Sequence, residues 1–231
     1  MEHAHHYGRV RSRGLSVDKF YIKSDIEFGE VMETDYTDDI VKNEPMFFSC
    51  SSMFADEEGG PITRDFLSKI DCAHDDLIID TRVHMLMPGW FPCIPGYHHD
   101  DVPRSDPNGQ PNYDDPEYRC HHAMALVNGD ICPTEFALGT FIMPRVEPGE
   151  IVYKIWHPEV EEQLDNGIGY REKALSNQII YFDDRTFHQG TRAVKAGWRW
   201  FGRATWGSGR EIKNEIRRQV QVYLEYPMEG W

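Results

Sequence analysis

The sequence is short of positive charge: 24 lysines and arginines stand against 39 aspartates and glutamates, a formal net charge of −15 at pH 7. Neutralised phosphates supply most of the affinity for nucleic acid, so this balance argues against bulk nucleic-acid binding. It also favours, mildly, a neutral or cationic substrate over a polyanion. No apolar run approaches the roughly 20 residues that span a bilayer. Residues Met1 to Gly14 are polar and rich in His and Arg, without the apolar segment of a secretory signal. Cysteine is sparse. Cys50, Cys72, Cys93, Cys120 and Cys132 form no Cys-x-x-Cys pair, and their odd number suits no complete disulfide framework. Isolated thiols in a reducing, cytoplasmic setting are the expectation. Cys72-Ala73-His74 and Cys120-His121-His122 each offer part of a zinc site, with no matching second pair. Neither a Gly-x-Ser-x-Gly elbow nor a Gly-x-x-x-x-Gly-Lys-Ser/Thr loop occurs, which removes two common routes to hydrolysis and phosphoryl transfer.

What is present is a succession of short β-rich runs. At 231 residues the chain suits one domain with a substantial core. From about residue 78, Gly, Pro, Asn and Asp separate strand candidates at 77–79, 83–87, 122–127, 135–141, 151–156, 178–182, 198–206 and 219–226. Many short strands with turns between them predict an all-β sandwich or barrel. Pro158 to Leu164 reads as a helix, with Pro near its start and Gly167 beyond its end. The core is expected over about 78–226, and 1–77 as covering elements. Within these, Phe20 to Ile22 is a strand candidate, Pro45 to Cys50 an apolar run and Asp56 to Pro61 an acidic loop. Ile62 to Ile70 is a helix with apolar residues four apart. The Pro-rich polar stretch Asp101 to Arg119 is a long loop, a lid or a flexible insertion.

Two motifs carry chemistry. Pro95-Gly96-Tyr97 leads into His98-His99-Asp100-Asp101, and Phe187-His188-Gln189-Gly190 follows far downstream. Residues two apart on a strand share a side, so His98 and Asp100 can face one metal ion; so can His99 and Asp101. The turn before Tyr97 favours His98/Asp100. His188 would supply the second imidazole. Two imidazoles and one carboxylate leave open positions on a non-heme Fe(II) that binds a cosubstrate and O2 together. Asp183 or Asp184 could orient a ligand histidine, though an exposed turn is the simpler reading of the pair. Of His121 and His122, one is expected buried and hydrogen-bonded, the other exposed.

Trp198 to Trp206 alternates strictly. Arg199, Phe201, Arg203 and Thr205 share one face; Trp198, Trp200, Ala204 and Trp206 share the other. Tryptophans inside and arginines in water is the simplest assignment. A metal site inverts it. An inward Arg203 needs an anionic partner, because an unpaired buried charge is very costly. A dicarboxylate would supply it, and Thr205 would add a hydroxyl.

Together, His98-x-Asp100, the distal His188 and Arg203-x-Thr205 resemble the 2-oxoglutarate/Fe(II)-dependent oxygenases. The resemblance covers roughly residues 80 to 206. It implies a mainly β chain with a double-stranded β-helix core of the jelly-roll or cupin-like kind and a few flanking helices. It implies Fe(II) held by His98, Asp100 and His188, and 2-oxoglutarate held by Arg203 and Thr205. The implied reaction hydroxylates a small-molecule or macromolecular substrate with release of succinate and CO2. Arg199 shares the inward face and could replace Arg203. Two other readings stay open: a cupin-like metal enzyme that uses no keto acid, and a non-enzymatic β-sandwich serving binding or assembly.

Overall fold

In a computed structural model of the protein, residues 19–71, 76–113 and 118–224 are described. The sequence features at Met1 to Gly14 and at Cys72 and His74 lie outside them, as do residues 114–117 of the long loop. The chain is mainly β. Its strands are β1 (Lys19–Ser24), β2 (Glu27–Val31), β3 (Phe47–Phe48), β4 (Cys50–Ser51), β5 (Ile78–Leu86), β6 (His121–Val127), β7 (Thr134–Pro144), β8 (Tyr170–Lys173), β9 (Gln178–Asp183), β10 (Phe187–Gly190), β11 (Gly197–Trp206) and β12 (Glu215–Ile216). Four α-helices accompany them among the described residues: α1 (Asp38–Asn43), α2 (Ser52–Glu58), α3 (Pro61–Lys69) and α4 (Val152–Asp165).

Two antiparallel sheets form the core. The larger runs β2-β9-β6-β11-β5-β4; in the smaller, β7 pairs with β1, β10 and β8. A single bridge between His98 and His188 adds the segment around His98 to the β10 edge of the smaller sheet. The chain therefore alternates between sheets: β5, the His98 segment, β6, then β7 and β8, then β9, β10 and β11. β12 pairs with β3 outside both sheets.

The period-2 pattern explains how the layers close. Ala123, Ala125 and Val127 of β6 join Trp200 and Ala204 of β11 in one apolar cluster with Val41, Ala55, Ile62 and Phe66 of the first three helices. These helices cover the outer face of the larger sheet. Met124 and Leu126 of β6 point the other way, into a cluster with Phe136, Leu138, Ile180 and Phe182 between the sheets. A third cluster seats Val152, Tyr153, Trp156, Val160 and Leu164 of α4 on Ala137, Phe141 and Phe187 of the smaller sheet. Strand β6 is thus buried on both faces, which accounts for its unbroken hydrophobic run.

The structure corrects the reading of residues 151–156. The β-branched and aromatic residues there are the first turns of α4, and Pro158 lies inside this helix instead of starting it. The buried positions 152, 156, 160 and 164 fall four apart, a helical stripe masked by high β-propensity. Asp56 to Glu58 belong to α2 rather than to a loop. The strand expected at 219–226 does not form over 219–222; Tyr223 makes one bridge with Phe91, and 225–226 lie outside the described residues.

Trp200 is fully buried and meets Phe66 edge-on at 5.6 Å between ring centroids. Its indole lies over Gly202: a methyl group added there would sit 2.1 Å from the ring edge. Gly202→Ala is expected to destabilise the fold by about 1–3 kcal/mol through overpacking, read as a lower urea midpoint with an unchanged slope.

Candidate functional site

The site begins with a backbone pairing. The His98 amide donates to the His188 carbonyl at 3.0 Å, and the His188 amide donates back to His98 at 3.1 Å. Residues directly opposite in an antiparallel pair present their side chains on the same face. The two imidazoles are 4.6 Å apart between ring centroids. Asp100, two residues after His98, returns to that side. His188 Nε2 lies 3.2 Å from Asp100 Oδ2, and His98 Nε2 lies 3.9 Å from Oδ1. The donor atoms of His98, Asp100 and His188 all fall within 4.8 Å of one another, a spacing that could hold a metal ion.

Both rings are oriented by main-chain carbonyls behind them. His98 Nδ1 donates to the Gly96 carbonyl at 2.8 Å, and His188 Nδ1 donates to the Thr186 carbonyl at 3.0 Å. Each Nε2 is therefore the nitrogen turned toward the carboxylate, that of His188 at hydrogen-bond distance from Asp100. Burial, then the neighbouring His188, pushes His98 down to about 4, so it is neutral near pH 7. The orienting acceptors are main-chain carbonyls two residues upstream, which side-chain reasoning missed. Asp184 instead accepts from the Cys120 amide, and Asp183 caps its own turn through Arg185 and Thr186.

The doubled motif separates cleanly. His99 turns to the opposite side, buried 4.0 Å from the Phe187 ring centroid and hydrogen-bonded to Tyr113. Asp101 takes a left-handed conformation (φ 47°) and meets the guanidinium groups of Arg203 and Arg210, each at 3.3 Å. Asp101, Cys120 and His122 form a second group with metal-compatible spacing. There the Asp101 charge is already met by the two arginines, and His122 Nδ1 is 3.0 Å from the Thr205 hydroxyl. His122 is buried while His121 stacks on Trp206.

The two arginines of β11 have opposite surroundings. Arg203 sits among carboxylates: it bonds Asp100, and lies 3.3 Å from Asp101 and 3.6 Å from Asp80. Burial opposes its charge, but these three acids outweigh burial and raise its affinity for the proton. The same pair works on Asp100. Burial alone would push that carboxyl up, yet Arg203 and then His188 hold it well below the usual range. Arg199 is 2% exposed, and no carboxylate pairs with it among the described residues. Its neighbours are the Phe201 ring and the thiols of Cys93 and Cys132, and its Nε has no acceptor. Burial accordingly lowers its affinity for the proton.

These groups share one cavity of about 450 Å³, lined by the three candidate ligands and by the inward faces of β5 and β11. Register places His84 opposite Arg199, Arg82 opposite Phe201 and Asp80 opposite Arg203. Burial, then Arg199 and Arg82, push His84 down to about 3. Four arginines and two aspartates line the cavity, so its charge is opposite in sign to that of the whole chain. Thr205 does not line it; among the described residues Thr134 is the one threonine that does. The long loop contributes Arg104, Pro107 and Asn108.

Comparison with known proteins adds little. No family model matches the chain, and no curated protein matches it. The solved structure of EvdMO1 is 11% identical over 78% of this chain and 55% of that one, with a TM-score of 0.29. The chain spans about half the length of that protein, and so slight a likeness supports no argument about fold or activity.

Proposed function

We propose that this protein is an Fe(II)- and 2-oxoglutarate-dependent oxygenase built on a double-stranded β-helix. One observation carries the reading: two histidines oriented by main-chain carbonyls and a carboxylate converge in a cavity that also holds a buried arginine paired with no carboxylate among the described residues. The alternation of the chain between two facing sheets supports the fold. The donor set fits a non-heme iron, with His98, Asp100 and His188 as ligands and the remaining positions open. When bound, Fe(II) with O2 and 2-oxoglutarate supplies the oxidising chemistry, releasing succinate and CO2.

The chain's own residues do the rest. Arg199 receives the far carboxylate of 2-oxoglutarate, and the incoming anion removes the cost of its isolated charge. Arg82, on the neighbouring strand, adds to the same field. Arg203, the residue first expected there, instead fixes Asp100 through a charge-assisted bond and keeps it ionised. Thr134 takes the hydroxyl role expected of Thr205, whose oxygen is engaged with His122. Thr205→Val should therefore leave the 2-oxoglutarate Kd within twofold. Thr134→Val should raise it by about fivefold, the worth of one neutral hydrogen bond. Isothermal titration of the metal-loaded protein reads both.

The reading as a whole is tested by anaerobic addition of Fe(II) and then 2-oxoglutarate. A weak visible absorption band on the second addition is expected. Iron binding without that band would favour a cupin-like enzyme with no keto acid. No iron binding would leave a β-sandwich of another kind.

A further inference from the structure

Three of the four arginines in the cavity lack a carboxylate partner among the described residues: Arg82, Arg104 and Arg199. Arg82 and Arg199 lie together on β5 and β11, on either side of Phe201. They suit one end of a bound dicarboxylate, whose other end belongs at the metal. Arg104 is elsewhere. It stands on the long loop, four residues beyond Asp100, with its guanidinium 4.9 Å above the Tyr153 ring. That ring is edge-on to His98 at 6.1 Å.

The Arg104 head group is held but not neutralised. Nη1 donates to the Pro107 carbonyl at 2.8 Å and Nη2 to the Tyr153 hydroxyl at 2.6 Å. Tyr153 is itself fixed by donating to the His99 carbonyl at 3.0 Å. Nε is buried with no acceptor. A guanidinium oriented by neutral acceptors beside a cavity is a preorganised fork for a planar or tetrahedral oxyanion. With Asp100 paired to Arg203, Asp80 to Arg203 and Arg210, and 2-oxoglutarate assigned to Arg199, no cavity-lining carboxylate among the described residues remains for it.

We propose that Arg104 is the anion-recognising residue for the substrate, which carries a carboxylate or phosphate group. Ile94, Met124, Phe182 and Phe201, also on the cavity wall, would face its apolar body. The role as a substrate anchor rests on the oxygenase reading; the existence of the anion site does not. Anchoring an anion on Arg104, which Tyr153 holds in place, sets the rest of the molecule beside His98 and the candidate metal ligands.

The test is calorimetric titration of the full-length protein with inorganic phosphate and, separately, with acetate. Wild type, Arg104→Met, Arg104→Lys and Arg199→Met are compared, each checked for folding by circular dichroism. Saturable binding of at least one anion is expected in wild type. It should weaken by about tenfold or more in Arg104→Met, the loss of a charge-assisted contact. It should persist in Arg199→Met. Arg104→Lys keeps the charge but loses the fork, so an intermediate loss is expected. That variant decides the matter should Arg104→Met not fold, with affinity equal to wild type counting against the proposal. Tighter phosphate points to a phosphate ester, tighter acetate to a carboxylate. Wild-type affinity for both anions in Arg104→Met, or no binding of either anion to wild type, would overturn the proposal. Failure of the oxygenase reading would register separately, as 2-oxoglutarate binding indifferent to Arg199→Met.

Discussion

Replacing His188 with alanine is expected to abolish stoichiometric Fe(II) binding, a loss of affinity greater than ~100-fold, while the fold survives. Disturbing residues that merely orient metal ligands commonly costs 10–100-fold, and removing a ligand should exceed that. The fold should persist because His188 joins the sheets through its backbone: its amide and carbonyl pair with His98 whatever the side chain. Its ring lies beside Phe136 and Phe182 and bonds the Thr186 carbonyl, so some packing and one hydrogen bond are lost while the strand pairing stays. Anaerobic titration with Fe(II), followed by metal analysis after desalting, reads the result. Metal retained at wild-type stoichiometry would remove the triad from the site.

The second large effect separates the two arginines of β11. Arg199→Met is expected to abolish 2-oxoglutarate binding and yet raise the melting temperature of the ligand-free protein. A buried guanidinium without a counter-charge is a liability, and methionine fills a similar volume without one. Each kcal/mol gained should appear as about 2–4 °C in a chain of this size. Arg203→Met should do the reverse for stability. It strips Arg203 from Asp100 and leaves Asp80 and Asp101 to Arg210 alone, and breaking a buried charged network in this way costs about 3–5 kcal/mol. Thermal melts with and without saturating 2-oxoglutarate distinguish the two cases. A destabilised Arg199→Met that still binds 2-oxoglutarate would assign the cosubstrate elsewhere.

Charge sign is the lesson with the widest reach. A chain at −15 suggests a site indifferent or hostile to anions, yet the cavity gathers Arg82, Arg104, Arg199 and Arg203. Net charge is a sum dominated by exposed side chains, while a site's field is set by the few groups that share its low-dielectric interior.

The sequence by itself determined the period-2 face of β11, the mainly β character, and the residues able to form a facial metal triad. These are local matters. Side-chain direction on a strand follows from backbone geometry alone, so Arg199, Phe201 and Arg203 had to share one face whichever way it pointed. The helix α4 escaped because its β-branched and aromatic residues outweighed a four-residue stripe that only packing on the smaller sheet makes decisive. Tertiary structure alone decided which register of His98-His99-Asp100-Asp101 converges on His188. The mutual hydrogen bonds of His98 and His188 fix it, and their partner lies ninety residues downstream. It alone decided which arginine is free. Arg199 and Arg203 are equivalent in pattern and differ only in what β5 and the His98 segment bring beside them: Asp80, Asp100 and Asp101 beside one, and no carboxylate among the described residues beside the other. The partner of a buried charge is a non-local property, set by chain topology, and no spacing along the sequence encodes it.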